Sequence, residues 1–247
     1  MQGFLSNIEL FFSGLYQSLQ KAIYYNFLKS NRYVYIIDGL RNTMVITLCA
    51  TLLGIIIGLI VALIRTTHDN TRKLKIPSFI CQVYITIIRG TPIIIQLMLL
   101  YFCIFTSRDM NKIVVAIIGF GINSGAYVSE IFRSGLMSVD HGQMEAGRSL
   151  GLSYLDTMRY IIIPQAIKVV LPTLGNEFIV LIKETSVAGY IAVQDLTKAG
   201  DIIRSQTYDA WTPLLIVAGI YLLLTFIFST IVKRFEKKLR KNERKSS

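Results

Sequence analysis

The chain has 247 residues, 53% of them hydrophobic and 17% charged, with a mean hydropathy of +0.52. Soluble domains carry about 25% charged residues, so the composition excludes an ordinary soluble protein and points to an integral membrane protein. The net charge of +11 does not argue for a nucleic-acid partner, because eight of the 26 Lys and Arg residues crowd the last fifteen positions, directly after an apolar run, as cytoplasmic anchors do.

In chain order, residues 1–41 come first, holding Lys21, Lys29, Arg32 and Arg41 and the aromatic stretch "YYNFLKSNRYVYIIDGL", which reads as an interfacial helix ahead of the first span. No basic segment precedes an apolar core with a cleavage site, so a signal peptide is not expected. Thr43 to Ile64 and Pro213 to Val232 are uninterrupted runs without a charged residue, each meeting the requirement of about 20 apolar residues for a spanning helix. In the first, Gly54 and Gly58 are spaced for close helix packing. Between these runs lie Ile76 to Thr106, Ile113 to Met137 and about Ala166 to Ile182, less pure but still apolar. The expectation is an all-α protein with five transmembrane helices.

Five spans put the termini on opposite sides. With the basic tail inside, the N-terminus faces outward, and the Arg65 to Lys75 loop with its four basic residues falls inside. Arg89, Gln96, Asn123, Glu130, Asn176, Glu177 and Lys183 lie in or at the ends of the impure runs. Polar groups at that depth are costly unless they face protein or water, so each is either part of a translocation path or a local device: a snorkelling charge or an interhelical hydrogen bond. Arg89-Gly90-Thr91-Pro92 breaks a segment too long for one straight span, since Pro92 disfavours helix at Thr91 and removes a donor. Asn123 and Ser124, flanked by Gly121 and Gly125, read as a second interruption.

Cys49, Cys81 and Cys103 all lie in apolar runs and read as small hydrophobes. His68 and His141 fall in loops, and no metal-ligand spacing is visible. No GxxxxGK[ST] occurs, so nucleotide chemistry would have to come from another chain.

One loop is unlike the rest: "DHGQMEAGRSLGLSYLDTMRYIIIP", Asp140 to Pro164. Asp140 with Gln143 resembles a capping box, and Gly151 is placed to end a helix over 141–150 in a left-handed residue. Ser153 with Asp156 opens a second helix, which Pro164 is expected to close. Glu145 and Arg148 share a face of the first helix, and Leu155, Met158, Ile161 and Ile162 form a stripe on the second. A helix, a glycine hinge and a helix result, either lying on the bilayer interface or serving as a docking element for a soluble partner.

Glu145, Ala146 and Gly147, then Gly151, then Ile161 and Pro164 resemble the EAA loop of permeases of ATP-binding cassette (ABC) importers, with Gly147 in place of the second alanine and Ile163 in place of a leucine. "IIRGTPIIIQ", "INSGAYVSEIFRSGL" and "PTLGNEFIVLIKETS" are similar to permeases of the polar amino acid uptake family. The resemblance covers about 38–234, leaving residues 1–37 as an extracytoplasmic or interfacial segment and 235–247 as a basic cytoplasmic tail. It implies a type I importer permease fold, a multi-pass location in a bacterial inner (cytoplasmic) membrane, and transport of a polar amino acid rather than enzyme activity. The implied partners are a second permease, identical or closely related, an extracytoplasmic solute-binding protein, and an ATPase subunit that docks on Glu145, Ala146, Gly147, Arg148, Gly151 and Pro164 and binds the ATP and Mg²⁺. No cofactor is expected on this chain.

An amino acid is zwitterionic and needs acceptors near its ammonium and donors near its carboxylate. The resemblance points to Asn123 and to Glu184, at an acidic position, as ligands of the ammonium, with Gln96, Tyr127, Ser124 and Thr91 near. Asn123 could instead be an interhelical bond, Glu184 a partner of Lys183, and Glu130 a partner of Arg133. A secondary carrier or channel for a small polar solute would also explain the intramembrane polar groups, but it gives no reason for the 140–164 loop. A membrane enzyme would need a nucleophile or base cluster, and none is visible.

Overall fold

The computed structural model describes residues 13–14, 16–18, 20–107 and 109–241. The first twelve residues of the N-terminal segment and the last six of the basic tail lie outside the described residues. Helical residues 20–23 lead into a π-helical turn, Tyr24–Leu28. Nine α-helices follow: α1 Tyr33–Thr71, α2 Lys75–Gly90, α3 Ile93–Leu99, α4 Lys112–Met137, α5 His141–Ser149, α6 Tyr154–Thr157, α7 Ile163–Glu184, α8 Leu196–Thr207 and α9 Trp211–Lys241. α3 ends in a π-helical turn, Leu100–Ile104, and α7 in a 3₁₀ stretch, Thr185–Ile191. Among the described residues there is no β-strand.

α1, α4, α7 and α9 lie in helices long and apolar enough to cross a membrane. The fifth segment is bent, 108° between Lys75–Gly90 and Ile93–Ile104. Packing shows that the bent pair carries the chain across. α1 and α4 run parallel: Leu53 meets Gly121, Gly54 meets Ser124, Gly58 meets Val128, Arg65 pairs with Glu130 and Asp69 with Arg133. Two consecutive long helices can run parallel only if the chain between them returns to the starting face, so α2 and α3 make one crossing. Five crossings result, and the ends of the transmembrane part lie on opposite faces.

The parallel contact is close because it is built from small residues. A β-carbon on Gly58 would stand 2.5 Å from Cγ1 of Val128, and one on Gly54 would stand 2.9 Å from Oγ of Ser124. In lipid the driving force is this packing rather than water exclusion. α7 runs antiparallel to α4 and to α9, with Val170 against Gly135, and Gly175 against Val232. α8 lies on the face of the membrane opposite α5. Its N-cap Asp195 is buried and accepts from the backbone N–H of Thr197 (2.8 Å) and of Lys198 (3.2 Å). Burial raises the Asp195 pKa, against these hydrogen bonds, which lower it.

Two expectations are corrected. α4 is continuous from Lys112 to Met137, so Asn123 and Ser124 do not interrupt it: their side chains find partners on neighbouring helices and leave the backbone ladder intact. Pro164 does not close the second loop helix. The chain stays helical from Tyr154 to Ile191, because Pro164 sits in the first turn of α7, just after a π-helical turn, Met158–Ile162, whose last bond runs from the Ile163 N–H to the Met158 carbonyl. At a helix start a missing N–H costs little.

Candidate functional site

The break in the bent crossing organises the polar residues at mid-depth. The Gln96 amide nitrogen donates to the Ile88 carbonyl (2.8 Å), the Thr91 carbonyl (3.1 Å) and Thr91 Oγ1 (2.8 Å). It thereby covers carbonyls that Pro92 leaves without helical partners. Gln96 Oε1 in turn accepts from Nδ2 of the buried Asn123 at 3.0 Å. Three of the expected site residues, Thr91, Gln96 and Asn123, thus form one chain of hydrogen bonds between α3 and α4. Tyr84 of α2 donates to the Ile122 carbonyl at 2.5 Å, fixing the other arm of the break to the same level of α4.

Ser124 faces elsewhere. Its hydroxyl donates to Glu177 Oε1 of α7 at 3.1 Å, so the acidic residue that meets the expected cluster most directly is Glu177. Glu184, the expected carboxylate, stands seven residues on and therefore on the same face of α7, half-buried and within reach of the charges of Glu177 and Lys183. Tyr127, one turn beyond Asn123, carries the Arg89 guanidinium over its ring at 5.2 Å. Glu177 and Arg89, both among the polar residues expected in the impure runs, lie beside this cluster through their contacts with Ser124 and Tyr127.

Toward the face that carries α5 the charges change purpose. Glu130 pairs with Arg65 and lies 3.9 Å from Arg133, which reaches Asp69 at 3.2 Å. The expected Glu130–Arg133 pair exists, inside a four-residue cluster that ties α1 to α4.

The 140–164 loop is built from its own capping signals. Asp140 accepts from the Gly142 N–H at 2.6 Å. Gly151 has φ +84°; its N–H reaches the Arg148 carbonyl and the Leu152 N–H the Gly147 carbonyl, the paired bonds of a Schellman stop. Ser153 then accepts from the Asp156 N–H at 3.1 Å. Glu145, Ala146 and Arg148 are exposed, while Gly147 is buried against Thr157 and Ile161. Leu155, expected on an apolar stripe with Met158, Ile161 and Ile162, is 75% exposed. Asn70 of α1 donates to Tyr154 Oη at 2.8 Å, and a cavity of about 360 Å³ lined by Asp69, Arg133, His141, Met144, Tyr154 and Met158 separates the loop helices from the spans. The result is a compact two-helix unit, continuous with one span and bonded to another, with an exposed polar face.

The family described as binding-protein-dependent transport system inner membrane component matches residues 50–241. The glutamine transport system permease protein GlnP of Escherichia coli (strain K12) is 39% identical over 168 residues, 67% of this chain and 77% of that one. The probable amino-acid ABC transporter permease protein YckA of Bacillus subtilis (strain 168) is 37% identical over 205 residues, 83% of this chain and 88% of that one. Among solved structures, an amino acid ABC transporter crystallised with histidines matches with TM-score 0.78 at 41% identity, over 86% of this chain and 98% of that one. The MetNI methionine ABC transporter in its inward-facing conformation shares the fold, with TM-score 0.70 at 19% identity over 84% of this chain and 97% of that one. With the family's match running from the middle of α1 to the end of α9, the chain belongs to the inner membrane components of binding-protein-dependent transport systems.

Proposed function

We propose that this chain is the membrane-spanning permease of an ABC importer that moves a polar amino acid into the cytoplasm, with ATP and Mg²⁺ bound by a separate ATPase. The relatives are named for glutamine and amino-acid transport, and glutamine is the first substrate to test. The observation that carries the reading is the pairing of two features in one chain: a polar cluster at a helix break at mid-membrane depth, and a rigid two-helix unit whose second helix runs uninterrupted into the α7 span. A rigid-body movement of a docked ATPase at Glu145–Gly151 is thereby passed to α7, which carries Glu177 and Glu184.

In this reading the substrate lies near Asn123, Gln96, Thr91, Ser124 and Tyr127, with Glu177 and Glu184 opposite its ammonium group. The basic tail and the 140–164 loop are cytoplasmic and the N-terminus is outside. The permease works as a dimer with itself or a close relative, and a solute-binding protein delivers the substrate to the face carrying α8. Residues 20–28, ahead of α1, lie at the membrane interface, tied to the turn before α9 by the Asn26–Asp209 hydrogen bond.

Co-purification tests the assembly. The permease expressed with the ATPase and solute-binding protein encoded beside it should yield a complex whose ATP hydrolysis rises when binding protein and L-glutamine or another polar amino acid are added. A permease that copurifies with no ATPase and accumulates solute without ATP would favour a secondary carrier.

A further inference from the structure

Arg89 is the second-last residue of α2 and sits over the ring of Tyr127, which is near the middle of α4. Both are deep in a hydrocarbon layer about 30 Å thick. A guanidinium there is costly and faces protein or a water-filled path. The ring face and the carbonyl end of α2 offset part of that cost. Yet among the described residues no carboxylate pairs with Arg89, although Glu177, bonded to Ser124 one turn from Tyr127 on α4, stands at comparable depth; Glu184 lies seven residues, about 10 Å, further toward the face carrying α8.

The charges are held apart by construction. Glu177 is fixed to α4 at Ser124 (3.1 Å) and Arg89 to α4 at Tyr127, one turn farther on. The backbone under Arg89 is held as well, since Gln96 bonds the carbonyls of Ile88 and Thr91 on either side of it. An exposed cation seated on the Tyr127 ring, with its donors free, and a carboxylate held apart from it at Ser124 are the complement of a zwitterion. Resting on the amino-acid reading above, we propose that Arg89 receives the α-carboxylate of the transported amino acid, while Glu177 of α7 faces its ammonium. The planar guanidinium can donate two parallel hydrogen bonds to a carboxylate, which an ammonium cannot do with the same geometry. Tyr127 is the positioning residue that keeps the fork in place between transport cycles.

The test is equilibrium binding to the assembled permease–ATPase complex in lipid nanodiscs, without binding protein, so that the delivering protein's own preference does not enter. Radiolabelled L-glutamine, L-histidine and L-arginine are offered, and the one bound best is competed with its α-carboxamide. The wild type should prefer the free acid by about 10-fold or more, Arg89→Lys should keep a preference with weaker affinity, and Arg89→Gln should bind acid and amide within about 2-fold of each other. Tyr127→Leu, which leaves the charge but removes its seat, should reduce the acid-over-amide preference whatever it does to both affinities, and it decides the matter if Arg89→Gln does not assemble. An undiminished acid preference in Arg89→Gln, or in Tyr127→Leu when it stands alone, overturns the proposal and indicates that Arg89 serves packing or a partner subunit. A wild-type complex that binds none of the three amino acids, even in the ATP-bound state of a hydrolysis-deficient ATPase, overturns the amino-acid reading itself and the proposal with it.

Discussion

Gly147 of α5 lies directly on Thr157 of α6: a β-carbon at 147 would stand 2.5 Å from Thr157 Cγ2 and 3.0 Å from its Oγ1. The position at which this chain departs from the E-A-A pattern is thus the point where the two loop helices touch. Gly147→Ala should overpack that contact, at about 1–3 kcal/mol, loosening the pair of helices and weakening retention of the ATPase. Gly147→Ala with Thr157→Ala should recover part of the loss. Thermal stability and the yield of ATPase on permease affinity purification measure both effects; a Gly147→Ala variant as stable as the wild type would show that the helices can separate freely.

Gly151 tests backbone rather than packing, because nothing lies within 4 Å of a β-carbon there while φ is +84°. Gly151→Val should cost on the order of 1–2 kcal/mol in the left-handed region and disrupt the Schellman stop, weakening ATPase association by roughly 5- to 30-fold while membrane insertion stays normal. Gly151→Asn, which tolerates that region, should retain most of the activity. Equal behaviour of the two variants in copurification would remove the conformational argument.

Removing the carboxylate charge on α7 should impair transport without disturbing assembly. Glu184→Gln and Glu177→Gln should each lower uptake at subsaturating substrate by roughly 10-fold or more, since a charge-assisted hydrogen bond is worth about 1.5–3 kcal/mol. Glu130→Gln is the contrast: it breaks a pairing with Arg65 between α1 and α4 and should lower thermal stability more than it changes the half-saturating substrate concentration. Unchanged uptake kinetics in both α7 variants would take these carboxylates out of the site.

Asp209 anchors the N-terminal segment. It accepts from Asn26 Nδ2 (2.8 Å) and from the backbone N–H groups of Trp211 (3.0 Å) and Thr212 (3.2 Å). Hydrogen bonding, from Thr212 first, holds its pKa below the ordinary carboxylate value. A carboxylate with a lowered folded-state pKa contributes stability above its unfolded pKa of about 3.9 and loses it as pH falls through the folded value. Asp209→Asn should therefore be less stable than the wild type at pH 7, with the difference shrinking below about pH 4 in thermal melts.

The five crossings were legible because apolar runs of about 20 residues have few other uses, and the break at Thr91–Pro92 because proline's effect on its neighbours is local. The capping signals of Asp140, Gly151 and Ser153 act within six residues and were equally readable. Asn123 and Ser124 misled because a polar residue in a span looks the same from sequence whether it unwinds the backbone or bonds sideways to Gln96 and Glu177. Pro164 misled because a proline stops one helix and starts another with the same residue, and the π-helical turn before it decides which. The Arg89–Tyr127 contact joins residues 38 positions apart on two helices, and only the packing of α2 on α4 reveals it.

The most direct measurement is uptake of radiolabelled L-glutamine and other polar amino acids into proteoliposomes containing the permease and its ATPase, with binding protein outside and ATP inside. Accumulation against the gradient should require ATP and binding protein and fall sharply in Gly151→Val. Accumulation of an amino acid without ATP, or retention of full ATP-driven uptake in Gly151→Val, would contradict the importer reading.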